Sequence, residues 1–382
     1  MENHYDVIVI GVGAMGSAAC YHLAARGVRV LGLEKFDIPH SQGSSHGFSR
    51  MTRMAYHEHA DYVPLLKAAF ALWKDLEIQS GEKLLHVTGG LYLGPKEGSV
   101  VGGALRSARK FGLPHRLLEH GELREEYPQF VLPEEFVGMI EDNAGFILPE
   151  KAVAAHALQA LRLGAVLHGR EEVVAWSADD RGATVVTHRG TYQAERLVFC
   201  GGAWTDRLVQ DLGVTLRVTR QTLGWVWPKT PARFELGRFP VWVIDRLDGS
   251  CHYGFPMMPD NPGFKIAHHS PGSGADPDSL VRTVLPGDEE SFRPVLRTQI
   301  PEADGPLLSL RVCMYTNSPD GNFIVDRHPE KSRVILACGF SGHGFKFATV
   351  LGQVLADLAT KEKTVHPIEF LGLGRFADGK RK

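Results

Sequence analysis

Apolar and polar positions along the chain fall into blocks that predict strand–turn–helix units at its start, middle and end. Residues 7–10 are uninterruptedly apolar, the pattern of a short strand buried on both faces. Glycines follow at 11, 13 and 16, and the Ala-rich stretch 17–26 reads as a helix closed by Gly27. Residues 28–33 read as a second strand, ending on Glu34. Strand, Gly-Gly turn and helix recur in 195–213, and strand, glycine-rich turn and helix in 332–359.

Between these units, helical spacing covers 62–76, 101–111 and 121–127, and Pro149 stands at the start of a helix within 144–164. Residues 84–94 alternate around a Gly-Gly pair and read as strands, and 165–200 read as short strands joined by turns. The expected fold is α/β. A Rossmann-like nucleotide domain would be assembled from discontinuous segments, 1–60, 145–214 and 313–382. An α+β substrate domain with a largely antiparallel sheet would take 61–144 and 215–312.

Composition narrows the function classes. A chain of 382 residues with 43% hydrophobic residues has room for a sizeable core. Its formal charge of −2 offers little attraction to nucleic acid or an anionic membrane, and the basic tail 379–382 reads as a frayed end. Five scattered cysteines with no Cys-x-x-Cys pair fit a reducing compartment. Glu2, Asp6 and the early glycines make a poor signal peptide, and no apolar run reaches the roughly 18 residues of a membrane span. A soluble, cytoplasmic protein is expected. The histidines show no metal-ligand spacing such as His-Glu-x-x-His, so no metal is implied.

The first unit carries the clearest chemistry. Gly11 permits a tight turn, Gly13 lets backbone approach a pyrophosphate, and Gly16 lets helix and strand pack closely. A helix N-terminus then offers free N–H groups to phosphates, and Glu34 is spaced to accept from a ribose hydroxyl. This fingerprint does not separate NAD from FAD. The following loop, 36–53, is long and rich in Gly, Ser, His and Arg, as suits wrapping an extended cofactor, and it favours FAD.

Five segments in order resemble one family: the glycine fingerprint, GSSHGFSRMTRMAY (43–56), HYGFPMMPDNPGFKIAHH (252–269), RVCMYTNSPDGNFIVD (311–326) and GFSGHGFKF (339–347). Together they resemble the monomeric sarcosine oxidases and N-methyltryptophan oxidases, FAD-dependent amine oxidases of the D-amino-acid-oxidase-like group. The resemblance implies that Cys313 carries the flavin through a thioether, with Arg50 and Lys346 supplying the positive field a reactive thiol needs. A packed, unreactive thiol is the alternative.

By the same resemblance Arg53 and Lys346 hold the substrate carboxylate, a planar fork and a point charge. For Arg53 the plainer alternative is a solvated salt bridge. Arg50 would lie beside the flavin, and Lys265 would promote the reaction of reduced flavin with O2; alone, Lys265 would read as an edge-strand lysine. His269 is implied at the substrate amine, with adjacent His268 its rival, and Tyr253 and Tyr315 in the substrate cavity. Ser44, His46, Gly342 and Gly344 complete the implied cofactor contacts, Gly342 also facing the substrate with its carbonyl, and Tyr56 is a lesser candidate. Two departures stand out: Phe48, where the family often has an acid, and the turn 257–263. Trp225, Trp227, Trp242, Met257 and Met258 are candidates for a larger pocket or for core.

The reaction so implied oxidises a secondary (N-methyl) amino acid such as sarcosine, with O2 as acceptor, to formaldehyde, the primary amino acid and hydrogen peroxide. A monomer acting on a small molecule is expected. Bulkier or cyclic secondary amino acids, a flavin or NAD-dependent dehydrogenase, and a flavin-binding subunit without catalysis are the competing readings.

Overall fold

The first apolar run forms the strand His4–Ile10 and the Ala-rich segment the helix Ala14–Ala24. The helix starts three residues earlier than its composition predicts, directly after Gly13, and every residue in it is buried. Backbone sterics explain the glycines around this turn. Gly11 has φ +89°, and a Cβ on Gly16 would stand 1.7 Å from the carbonyl oxygen of Gly11. The computed structural model describes residues 3–261, 263–269 and 272–377. The basic tail and Pro262 of the 257–263 turn lie outside the described residues.

His4–Ile10 is central in an eight-stranded sheet, parallel to Val30–Leu33 on one side and Thr191–Phe199 on the other. Val166–His168 and Val334–Cys338 extend the parallel part, while Val173–Ala178, Ala183–Thr187 and Ile324–Arg327 add antiparallel edges. Helices Pro149–Arg162 and Ala348–Lys361 pack on Ala14–Ala24. Strands from the start, middle and end of the chain thus build one sheet around the glycine turn. The helix predicted within 195–213 is a single turn, Thr205–Leu208. Val209 is already extended, and the indole N–H of Trp176 donates to Leu208 O at 2.6 Å, taking a carbonyl that a longer helix would use.

A second eight-stranded sheet is antiparallel except where Val241–Asp245 runs parallel to Gly90–Pro95. The 84–94 segment is split by Gly89: Leu85–Val87 joins a three-stranded sheet with Arg50–Thr52 and Gly145–Ile147, and Gly90–Pro95 joins the second large sheet. Phe264–His268 lies between Arg217–Val226 and Cys251–Phe255, so Lys265 is on an interior strand and not an edge. Strand Leu307–Asn317 pairs with Arg217–Val226 along nearly its whole length. The two-residue pleat puts Arg311, Cys313 and Tyr315 on one face with Lys265 and Tyr253. The opposite face packs Val226, Trp242, Phe264, Ile266 and Phe292 into a separate core.

Candidate functional site

A cavity of about 310 Å³ begins at Gly11, Gly13 and Glu34 and passes Ser44 to reach Arg50, Tyr315, Gly342 and Gly344. Glu34 accepts from Val12 N at 2.8 Å and Phe36 N at 3.0 Å, which fixes its carboxylate at the end of its strand. Ser44 donates to Met314 O at 2.8 Å and so ties the 36–53 loop to the strand of Cys313. Gly16 is packed into the helix turn rather than lining the cavity.

Cys313 is buried, with Arg50 Nη2 3.6 Å from its sulfur. Arg50 also donates to Ser49 O and Ser44 O, each at 2.9 Å. Lys265 is fully buried and donates to Gly47 O, Ser49 O and Ser49 Oγ at 2.8, 2.7 and 3.1 Å. Its Nζ also lies over the rings of Phe255 and Trp225. Burial, then the Arg50 charge, hold its pKa well below the usual lysine value. His46 is buried in the same loop, and among the described residues neither ring nitrogen has a partner. Burial and the charges of Arg50 and Lys265 lower its pKa to about 3, so it is neutral.

A second cluster lies around the Tyr56 ring, which Arg53 and Lys346 approach to 5.0 and 5.1 Å. Arg53 is not a solvated arginine: it is buried and donates from Nη2 to Glu58 Oε1 at 2.5 Å. Burial is the largest influence and opposes its charge, but Glu58, Tyr92, Tyr56 and Cys251 together outweigh it and the pKa is raised. Glu58 would be raised by burial, yet Arg53, then His57, His343 and Lys346, hold it well below the usual carboxylate range. Lys346 is lowered to about 7 by burial, then by Arg53, with Glu58 opposing; its Nζ donates to His343 O at 2.9 Å.

Tyr253 and His269 meet at Tyr315, with 3.4 Å from each to the Tyr315 hydroxyl. His269 is lowered to about 4, mainly by burial. His268 instead stacks on His252 on the other side of the strand, centroids 4.5 Å apart, which separates the two candidates. Gly342 has φ +80°, and a Cβ there would stand 2.5 Å from the Tyr315 ring. Of the pocket candidates, Trp242 and Met257 belong to the core of the opposite sheet face and Trp227 is exposed. Trp225 lies on the site face against Phe48, whose ring also carries the Arg311 guanidinium at 4.1 Å.

The sequence reading missed two acids. Glu58 follows Arg53 by five residues, a spacing that carries no pairing signal. Glu150, in the first turn of Pro149–Arg162, accepts from Gly47 N at 2.7 Å and reads from sequence only as a helix-terminus acid.

The residues present fit FAD. Gly11 and Gly13 bring bare backbone to the cavity, the Glu34 carboxylate stands at the same end, and among the described residues the buried imidazole of His46 and hydroxyl of Thr316, which lines the cavity, have no partner. Fold and site define a dinucleotide-dependent oxidoreductase. Residues 6–358 match the family described as FAD dependent oxidoreductase. Monomeric sarcosine oxidase of Streptomyces avermitilis is 41% identical over 381 residues, covering 99% of each chain. N-methyl-L-tryptophan oxidase of Yersinia pestis is 36% identical, covering 97% of this chain and 99% of that one. Among solved structures, NikD, an unusual amino acid oxidase essential for nikkomycin biosynthesis, has the same fold, with TM-score 0.84, 24% identity and 97% of both chains covered. The chain belongs to this family of FAD-dependent oxidoreductases, in the group of the monomeric sarcosine oxidases and N-methyltryptophan oxidases. No helix among the described residues is long and apolar enough to cross a membrane.

Proposed function

We propose that the protein oxidises the C–N bond of a secondary amino acid, sarcosine or another N-methyl amino acid, using O2 and releasing formaldehyde, the primary amino acid and hydrogen peroxide. It would do so as a monomer in the cytoplasm, where the cysteines other than Cys313 stay reduced. The observation that carries the reading is the buried pairing of Arg53 with Lys346 on the Tyr56 ring. Of these two buried groups only Arg53 is ion-paired among the described residues, with Glu58, and such a site suits a further carboxylate.

Gly11, Gly13 and Glu34 would hold the nucleotide half of FAD, and Ser44, His46, Arg50, Gly342 and Gly344 its other end, with Cys313 as covalent tether. When bound, the flavin supplies the two-electron acceptor. Arg53 Nη2 exchanges Glu58 for the substrate carboxylate, and Lys346 Nζ adds a second donor. This fixes the substrate's nitrogen relative to Tyr315, Tyr253 and His269. The neutral His269 imidazole suits an amine that must lose its proton before giving up electrons. Lys265 places a fixed positive charge for the reaction with O2.

The test is anaerobic mixing of the yellow holoenzyme with sarcosine and, separately, N-methyltryptophan. Prompt bleaching, followed by recovery of colour and formation of peroxide on admitting air, is expected. A flavin that no secondary amino acid bleaches would remove the substrate class; bleaching that air fails to reverse would remove the oxidase.

A further inference from the structure

Among the described residues neither cation beside Cys313 donates to a carboxylate: Arg50 and Lys265 are held by backbone and hydroxyl oxygens of residues 44–49. An ammonium buried among neutral acceptors is costly, so the groups behind those acceptors matter. The peptide joining Gly47 to Phe48 is held from both ends. Its carbonyl oxygen accepts from Lys265 Nζ at 2.8 Å, and its N–H donates to both carboxylate oxygens of Glu150 at 3.2 Å. Gly47 N adds a third bond to Glu150 at 2.7 Å. Gly47 and Phe48 are both left-handed, φ +99° and +66°, and their successive N–H groups form a concavity that holds an anion. A phenylalanine keeps that conformation where its surroundings impose it.

We infer that Glu150 is the counter-ion of Lys265, acting through the single Gly47–Phe48 peptide. It is a positioning residue that aims Nζ and keeps it charged. The inference rests on the reading that Lys265 promotes reoxidation of the flavin. A peptide hydrogen-bonded to an anion at its N–H and a cation at its carbonyl is polarised so that each bond strengthens the other. The charged groups around Lys265 divide accordingly. Arg50 from the loop and Arg311 from strand Leu307–Asn317 push its pKa down, whereas Glu150 from the helix pushes it up, as does Cys313 only while its thiol is free. Trp225 and Phe255 present only ring faces, and His46 is neutral.

The experiment uses holoenzyme reduced anaerobically with dithionite and mixed with oxygenated buffer across pH. It compares wild type, Glu150→Gln, Glu150→Asp, Lys265→Met and the double variant Glu150→Gln/Lys265→Met. Gln keeps an acceptor for the two amides and removes only the charge. Glu150→Gln is expected to reoxidise on the order of tenfold more slowly. The alkaline limb of its pH profile moves to lower pH, because Lys265 has lost a group that raises its pKa. Glu150→Asp recovers most of the rate, and the double variant is no slower than Lys265→Met. Without turnover, the affinity of the oxidised flavin for sulfite, which follows nearby positive charge, falls in Glu150→Gln and Lys265→Met alike.

Wild-type reoxidation and sulfite affinity in Glu150→Gln, beside a slow Lys265→Met, would overturn the counter-ion and leave the reading of Lys265 standing. If Lys265→Met reoxidises as fast as wild type, that reading fails instead. The sulfite affinities then decide the coupling: a fall in both variants keeps it, and no fall in Glu150→Gln removes it.

Discussion

Arg53, buried, and Glu58, half-buried, form an ion pair, Nη2 to Oε1 at 2.5 Å, beside the Tyr56 ring that Lys346 also faces. The anion that neutralises Arg53 is thus supplied by the protein itself. On the proposed reading a substrate carboxylate takes the place of Glu58, and His57, whose Nε2 is 3.7 Å from Glu58 Oε1, stands next to the displaced acid with its pKa held well below the usual histidine value by burial.

Glu58→Gln therefore has two opposed effects. Removing one member of a buried pair leaves Arg53 uncompensated, which costs about 3 kcal/mol of stability or more. The same change removes the competitor for a ligand carboxylate, so the binding-competent fraction rises. Methoxyacetate, which has the shape of sarcosine but no oxidisable amine, is expected to bind on the order of tenfold more tightly to the variant. It should also raise the variant's Tm by more than the parent's. Equal affinity for both proteins would show that Glu58 does not compete.

Lys346 gives the site a pH dependence of known sign. Burial and Arg53 lower its pKa to about 7, and a bound carboxylate raises it again. Below about pH 7 the ammonium is already present and methoxyacetate affinity is flat. Above it, binding takes up a proton, and affinity falls by up to about tenfold per pH unit until the pKa of the complex is reached. Titration calorimetry in two buffers of different ionisation enthalpy measures that proton. Lys346→Met should bind weakly at every pH with no proton uptake; an unchanged pH profile in that variant would assign the titration elsewhere.

The nucleotide half of the molecule was legible in sequence because its signals are local. Gly11, Gly13 and Gly16 answer to backbone sterics within one turn, and Glu34 ends the next strand. The cation-rich end was legible as residues but not as pairings. Nothing near Lys265 announces that its strand is interior, since that depends on pairing with Arg217–Val226 and Cys251–Phe255. Glu58 and Glu150 escaped notice for the same reason. Their partners are chosen by how the loop 44–58 folds back, and Glu150 meets Phe48 across 102 positions of sequence. His269 and His268 are adjacent in sequence, and only the fold shows that the first meets Tyr315 while the second stacks on His252.

Arg50 Nη2 lies 3.6 Å from Cys313 Sγ, and among the described residues its other hydrogen-bond partners are the carbonyl oxygens of Ser49 and Ser44, so a guanidinium faces the sulfur. If Cys313 is the tether, acid-precipitated holoenzyme retains its yellow colour in the pellet. Cys313→Ser then releases all of it, and Arg50→Met, reconstituted from apoprotein with FAD, attaches it on the order of tenfold more slowly or not at all. Colour retained in the Cys313→Ser pellet would place the bond on another residue.

Gly342 tests how the site holds Tyr315. The backbone there is left-handed, φ +80°, and the space a methyl group would take is the Tyr315 ring, 2.5 Å from an ideal Cβ. Gly342→Ala pays both penalties, about 1 kcal/mol for the backbone and a further 1 kcal/mol or more for displacing the ring. A displaced Tyr315 loses its contacts with Tyr253 and His269, so KM for the substrate should rise along with the fall in stability. The two terms separate in a double-mutant cycle with Tyr315→Ala, which removes the ring. In that background Gly342→Ala should cost only the backbone term in urea denaturation and leave KM where Tyr315→Ala alone puts it. Strict additivity of the two substitutions would mean that Gly342 is glycine for its φ alone and does not hold Tyr315 in place.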